Sequence, residues 1–398
     1  MSLIDDAERI ASDLADLRHA FHREPELGLD LPRTQARVLD ALSGLPLEVR
    51  SGDGLSSVTA VLRGGGSGPT VLLRGDMDAL PIVEQVDVPF RSKIDGAMHA
   101  CGHDLHTSML IGAAHLLASV RDRLAGDVVF MFQPGEEGFN GAGAMIDEGV
   151  LDASGRRPVA AYALHVFSNG WPHGAFATRP GPLMAASDIF TATVRGTGGH
   201  ASAPHNARDP IPAACEMVLA LQTFLTRTIS AFDPAVITVG QVHAGNRYNV
   251  IPETAWIEAT IRTFTPEVQR NIADGLVRLC RGIASGYGLD LDTSYTLQYP
   301  LTVNAAEEAA FAAATVVDVF GPEEFVPMEH PIAGAEDFSR IIDAVPGAMV
   351  FLGASPAGSD GIGLADNHSA QAAFDDRVIA RGTALYAELA ARRLAAAG

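Results

Sequence analysis

The chain has 398 residues; at roughly 100–200 residues per domain this excludes a single small binding module and points to two domains, one inserted in the other. Hydrophobic residues make up 47% and charged residues 19%, which excludes a disordered tail or a coiled coil and predicts a large packed core. Lys and Arg number 28 against 48 Asp and Glu, and the resulting net charge of −20 repels phosphate backbones and anionic bilayers, so neither nucleic acid nor a membrane is an expected partner.

In chain order, the acidic start Met1-Ser2-Leu3-Ile4-Asp5-Asp6 lacks the basic and apolar regions of a signal peptide. The best apolar run, Met109 to Val120, falls short of the ~18 residues of a membrane helix, so cytoplasmic residence is the expectation. Apolar residues recur at helical spacing from Ile4 to about Leu42, interrupted by the turn Arg23-Glu24-Pro25-Glu26-Leu27-Gly28, which predicts two helices. Strands are predicted at Ser57–Leu62, Thr70–Leu73, Asp127–Phe132 and Val159–Leu164, with helices at Leu105–Val120 and about Ala142–Glu148 between them. Such alternation predicts an α/β layered sheet whose ligands gather beyond the carboxyl ends of the strands. Asp76 and Asp78, Glu136 and Glu137, and His165 all fall at those ends. From about Ser187 the texture changes to an α+β region with strands at Ile189–Arg195, Ala235–Val242 and Thr254–Arg262 and helices at Pro212–Thr226 and Pro266–Gly286. After about Tyr299 the α/β pattern resumes with a helix at Ala305–Phe320, a strand near Ala348–Leu352 and a last helix at Asp375–Leu394. The expected division is 1–186 and 300–398 for one domain and 187–299 for the insert.

The densest group of reactive side chains is His99-Ala100-Cys101-Gly102-His103-Asp104-Leu105-His106. Imidazole and thiolate suit a borderline-soft divalent metal, and a ligand pair two apart around a glycine can face one ion. Asp104 is alternatively a helix cap and His106 a solvent-facing residue of the first turn. Glu136 and Glu137, bracketed by Gly135 and Gly138, are either a ligand beside a proton carrier or a pair of solvated acids. His165 reads as a ligand or a core histidine, and Asp76 and Asp78 as acceptors of histidine N–H groups or as surface caps. In the insert, the glycines of Gly198-Gly199-His200 permit close backbone approach, so His200 either reaches toward an anion or is an ordinary loop histidine, and Asn249 and Arg262 either hold a carboxylate or are structural. His368, in Asp366-Asn367-His368-Ser369, could close a metal sphere from far along the chain. Three cysteines, Cys101, Cys215 and Cys280, are too few and too scattered for a disulfide framework and are expected to be reduced.

The ordered set Leu72 to Pro81, Met98 to His106, Phe132 to Gly138, Leu164-His165-Val166, Gly198 to His205, Asn249-Val250-Ile251-Pro252 and Gly334 to Phe338 resembles the metal-dependent amidohydrolases of the aminoacylase and hippurate hydrolase group, which includes plant hydrolases of auxin–amino acid conjugates. The likeness spans His22 to Phe374. It implies a zinc-exopeptidase-like α/β catalytic domain with two divalent metal ions, zinc or manganese foremost with cobalt or nickel also suited, and an inserted α+β lid that makes a homodimer. By the same resemblance Cys101, His103, Glu137, His165 and His368 are the metal ligands, Glu136 the general base, Asp78 a supporting carboxylate and His200 the lid histidine that stabilises the oxyanion, often in the neighbouring subunit. Asn249 and Arg262 take the positions that bind the substrate carboxylate. A metal lowers the pKa of water, so Glu136 can take its proton during attack on the amide carbonyl and return it to the leaving amine, freeing an amino acid from an N-acyl amino acid. Phe139-Asn140 stands where small residues are common and narrows the acyl pocket. The competing readings are a dipeptidase or aminopeptidase on the same scaffold, a cysteine hydrolase with Cys101 as nucleophile, and a non-catalytic binding protein.

Overall fold

The first apolar-periodic stretch forms helices α1 (Leu3–Arg23) and α2 (Pro32–Ala41). Ser2 caps α1 by accepting from Ile4 N, with Asp5 and Asp6 in its first turn and His22 and Arg23 in its last, each charge matched to the helix dipole. Pro32 starts α2, and the Glu26 carboxylate accepts from Arg33 N (3.3 Å) and Thr34 N (2.8 Å), N–H groups without an intrahelical acceptor. The structure, a computed structural model, describes residues 2–356, 358–359 and 361–397 and divides into two units. Unit 1 comprises 1–183, 303–330 and 337–398; unit 2 comprises 184–302 and 331–336.

Unit 1 continues with β1 (Leu47–Ser51), β2 (Val58–Leu62), β3 (Thr70–Asp76), α3 (His103–Ser119), β4 (Asp127–Gln133), α4 (Gly141–Asp147), β5 (Ala160–Phe167) and β6 (Phe176–Thr178). Unit 2 supplies β7 (Ala186–Arg195), α5 (Pro210–Thr228), β8 (Ala235–Ala244), β9 (Thr254–Thr263), α6 (Pro266–Gly286) and β10 (Asp290–Tyr299). On its return to unit 1 the chain forms α7 (Ala306–Phe320), β11 (Phe325–Pro327), α8 (Ser339–Ala344), β12 (Gly347–Gly353) and α9 (Ile379–Ala397).

The unit 1 sheet has eight strands in the order β1-β2-β4-β3-β5-β12-β6-β11, and its centre, β4-β3-β5-β12, is parallel. Every residue of β3 and β12 is buried, as near-continuous apolar runs require when both faces of a parallel sheet are covered. Helices α1, α3 and α9 pack on one another, and α3 and α9 both lie on β3. The strands run further than the apolar runs predict: Asp76 and Gln133 are paired in register at the ends of β3 and β4, because buried polar groups with partners remain in a ladder. Unit 2 is an antiparallel sheet, β8-β9-β7-β10, with α5 and α6 against it. Alternate residues of β9 are buried, the mark of a sheet covered on one face. Strand β10 has no counterpart among the predicted elements, because its Asp, Thr and Ser residues sit on a half-exposed edge and leave no apolar run to read. Residues 331–336 join unit 2, with Ala185 N donating to Ile332 O and Gly334 O, a long-range pairing without a local sequence signal. Among the described residues no helix is long and apolar enough to cross a membrane.

Candidate metal centre

The carboxyl ends of three neighbouring parallel strands set the floor of the site: Asp78 follows β3, Glu136 and Glu137 follow β4, and His165 lies near the end of β5. Cys101 and His103 flank Gly102 at the start of α3. Gly102 has φ +82°, and a Cβ there would lie 2.3 Å from Val166 Cγ2, so only glycine permits the turn that presents both side chains. His368 arrives from the segment before α9, with its main-chain N–H donating to Ala100 O.

These five donors converge within unit 1. Cys101 Sγ lies 3.5 Å from His165 Nε2 and 3.3 Å from His368 Nε2. Glu137 Oε1 lies 3.2 Å from His368 Nε2 and 3.9 Å from His103 Nε2. The far nitrogens hold the rings in place: His165 Nδ1 donates to Val166 O and His103 Nδ1 to Asp78 O, both at 2.9 Å, which turns each Nε2 toward the cluster. His103 Nε2 is buried without a hydrogen-bond partner among the described residues. One thiol, three imidazoles and a carboxylate, with a buried ring nitrogen left unsatisfied, fit borderline divalent ions such as zinc. Glu136 adjoins them, with donor atoms of His103, Glu136 and Glu137 within 4.8 Å of one another. The Asp78 carboxylate accepts from Glu136 N and Glu137 N at 3.0 Å each, so one residue holds both the acid pair and the His103 ring.

The charges are those of a cation site. Hydrogen bonds to Cys101 and Glu137 push His368 up to about 10. Burial opposes a proton on His103, yet the Asp76 and Cys101 charges raise it well above the usual histidine value. Glu137 is opposed by burial in the same way, but the His368 hydrogen bond and the His103 charge leave its pKa lowered. A divalent ion at the same place would meet the charges of Glu137 and Cys101 instead of a proton on either imidazole.

Two expectations are corrected. His106 is fully buried: Nδ1 donates to Asp76 Oδ1 at 2.6 Å and Nε2 accepts from Val166 N at 2.8 Å, so both ring nitrogens are engaged. Asp104 is no cap but a buried acceptor of Arg18 Nε (2.9 Å) and His22 Nδ1 (2.8 Å), and His22 Nε2 meets Glu84 Oε1 at 3.0 Å. The physical reason is that the first turn of α3 lies beneath α1, and nearly every residue of this helix is buried. Sequence reasoning misses Arg18, His22 and Glu84. Their one signal is a charge in the apolar stripe of α1, where Leu14, Arg18, Phe21 and His22 share one buried face. His99 stands apart from the cluster beside the His22 ring, and burial pushes its pKa down to about 3. Phe139 is 55% exposed, with its ring against Gly28.

His200, Asn249 and Arg262 belong to unit 2. His200 pairs with Val250, its Nδ1 accepts from Ser202 Oγ at 2.7 Å, and Ala201 N donates to Asn249 O. These lie at the end of the sheet where Arg195 faces Thr254, whereas Arg262 faces Ser187 at the other end, about 26 Å away at ~3.3 Å per residue. Unit 2 therefore brings His200 and Asn249 together and keeps Arg262 apart from them.

A model of peptidase family M20/M25/M40 matches residues 72–392. The thermostable carboxypeptidase 2 of Saccharolobus solfataricus is 37% identical over 392 residues, covering 98% of this chain and 97% of its own length. The hippurate hydrolase of Campylobacter jejuni is 34% identical over 99% of this chain and 100% of its own. Among solved structures, the YXEP protein of Bacillus subtilis, described as a dinuclear metal binding peptidase from the M20 family, matches with a TM-score of 0.82 at 31% identity, over 98% of this chain and 99% of that one.

Proposed function

The chain belongs to peptidase family M20/M25/M40, enzymes that hydrolyse amide bonds with two divalent ions, and from that premise we propose that it cleaves N-acyl amino acids into a carboxylic acid and a free amino acid. The observation that carries this reading is Glu136 beside the five-donor cluster of unit 1. Zinc or manganese ions held by Cys101, His103, Glu137, His165 and His368 would lower the pKa of a water and polarise the amide carbonyl. Glu136 takes the proton from the attacking water and passes it to the leaving amine. Asp78 keeps Glu136 and Glu137 at their stations through two main-chain N–H groups.

In this reading unit 1 is the catalytic domain and unit 2 the lid and dimerisation domain. Arg262 and Asn249 each bind a substrate carboxylate, and their placement at opposite ends of the unit 2 sheet supports a homodimer in which His200 and Asn249 serve the neighbouring copy. A second copy would cover the edge strand β8, which carries the exposed Val236 and Val242. The 37% identity to a carboxypeptidase favours one specific alternative, short peptides as substrates.

Amino-acid release from N-acetyl, N-benzoyl and long-chain N-acyl amino acids, measured beside matched free dipeptides before and after chelation and metal restoration, separates the two. Metal-reversible cleavage of acyl substrates is expected; cleavage of dipeptides alone would replace the proposal with the peptidase. Glu136→Gln is expected to keep its metal content while turnover falls by about 100-fold or more. Near-normal turnover would remove Glu136 from proton transfer. Phe139→Ala should shift the ratio of kcat/KM for long-chain over N-acetyl substrates upward by about tenfold, and an unmoved ratio would place the acyl group elsewhere.

A further inference from the structure

The main chain of one residue, Val166, joins segments that are remote in sequence. Val166 N donates to His106 Nε2 at 2.8 Å, and Val166 O accepts from His165 Nδ1 and from Asn367 Nδ2, each at 2.9 Å. His106 is anchored on its other side by Asp76, whose second oxygen is held by Arg74 Nη1 at 2.6 Å. The Asn367 amide lies 3.3 Å from Cys101 O and 3.8 Å from Cys101 Sγ, and its Oδ1 accepts from Ser168 N at 2.9 Å and Ser168 Oγ at 3.0 Å. The next residue, His368, has φ +70°, a left-handed backbone that favours glycine and is held here by the contacts on either side.

We propose that His106 and Asn367 are positioning residues that clamp the two peptide units flanking Val166, His106 at the Val166 N–H and Asn367 at the Val166 C=O, and so preset Cys101, His165 and His368 for metal. The proposal rests on the ligand set given above. His106 is fixed in a single tautomer, donor at Nδ1 and acceptor at Nε2, so it orients a neighbour and offers no lone pair to an ion. Asn367 acts on the next peptide unit, where its N–H groups reach the carbonyl that orients His165, and also the carbonyl and sulfur of Cys101. The ligands come from α3, β5 and the segment before α9, and these two side chains register the three pieces against one another.

The test is cobalt(II) titration of the metal-free full-length protein, read by the near-ultraviolet thiolate-to-cobalt absorption of Cys101 and by competition with a chelator. His106→Phe and Asn367→Ala are expected to weaken cobalt binding by about 10–100-fold with the number of ions at saturation unchanged. His106→Gln, which restores an acceptor for Val166 N, should recover most of the loss, and metal-free circular dichroism should match the parent throughout. Parent-like affinity in both His106→Phe and Asn367→Ala would overturn the clamp. So would loss of one whole ion in His106→Phe, which would make His106 a ligand. If the His106→Phe chain does not fold, Asn367→Ala, altered in a partly exposed loop, decides alone. A parent protein that takes up no cobalt would overturn the ligand set itself, whereas tight cobalt binding without acyl hydrolysis would overturn only the substrate reading.

Discussion

His22 has a burial that should strip it of charge and two acids that keep it charged. Burial lowers its pKa, but hydrogen bonds to Asp104 and Glu84 outweigh that, and the value is raised above 6.5 despite the opposing charge of Arg18. His99 and Phe90 complete its surroundings. A raised folded-state pKa stabilises the protein fully below the unfolded value and loses that contribution as pH rises through the folded one. Thermal melts of the parent should therefore fall more steeply between pH 6 and pH 9 than those of His22→Gln at constant salt. Parallel profiles would show that His22 is neutral in the folded chain. The same residue marks the limit of reading single positions. Cys101 and His103 on either side of Gly102 and the adjacent acids announce themselves through composition and spacing, whereas the buried partners Arg18, His22 and Glu84 are ordinary residues until the packing of α1 on α3 is known.

Helices and strands are legible wherever one physical rule dominates. The buried parallel strands read as apolar runs, and α6 shows an apolar stripe with Thr265 as its cap, accepting from Val268 N. Edge strands β1 and β10 are not legible, since a half-exposed edge tolerates polar residues on both faces. The start of α3 reads as a loop and a solvated first turn, because a left-handed glycine and a helix buried on nearly every side leave no amphipathic pattern. Its geometry gives a direct prediction. Gly102→Ala combines an unfavourable φ with a methyl group driven into Val166, and should cost about 1–3 kcal/mol in urea denaturation together with a loss of bound metal. An unchanged midpoint would mean that this turn can relax without moving Cys101 or His103.

At the scale of the molecule, the α/β sheet with an α+β insertion is legible from the change in texture near Ser187, while the return of 331–336 to unit 2 is not, since only long-range pairing encodes it. The two units have separate cores, one around β3, β5 and α3 and the other around β7, β9 and α5. All five proposed ligands lie in unit 1. Stabilisation by a bound ion grows with its concentration over Kd, so chelation should lower one calorimetric transition and leave the other near its original temperature. A single transition that moves as a whole would show the units to be one cooperative block. The sheet order has a further consequence during synthesis. Strand β12 pairs with β5 and with β6, yet unit 2 is translated between β6 and β12. On the ribosome the apolar flank of β5 must wait about 10–40 s for its neighbour at ~5–20 residues per second. Unit 2 has time to fold in that interval, while nascent unit 1, its seam still open, is the stage that most needs a chaperone.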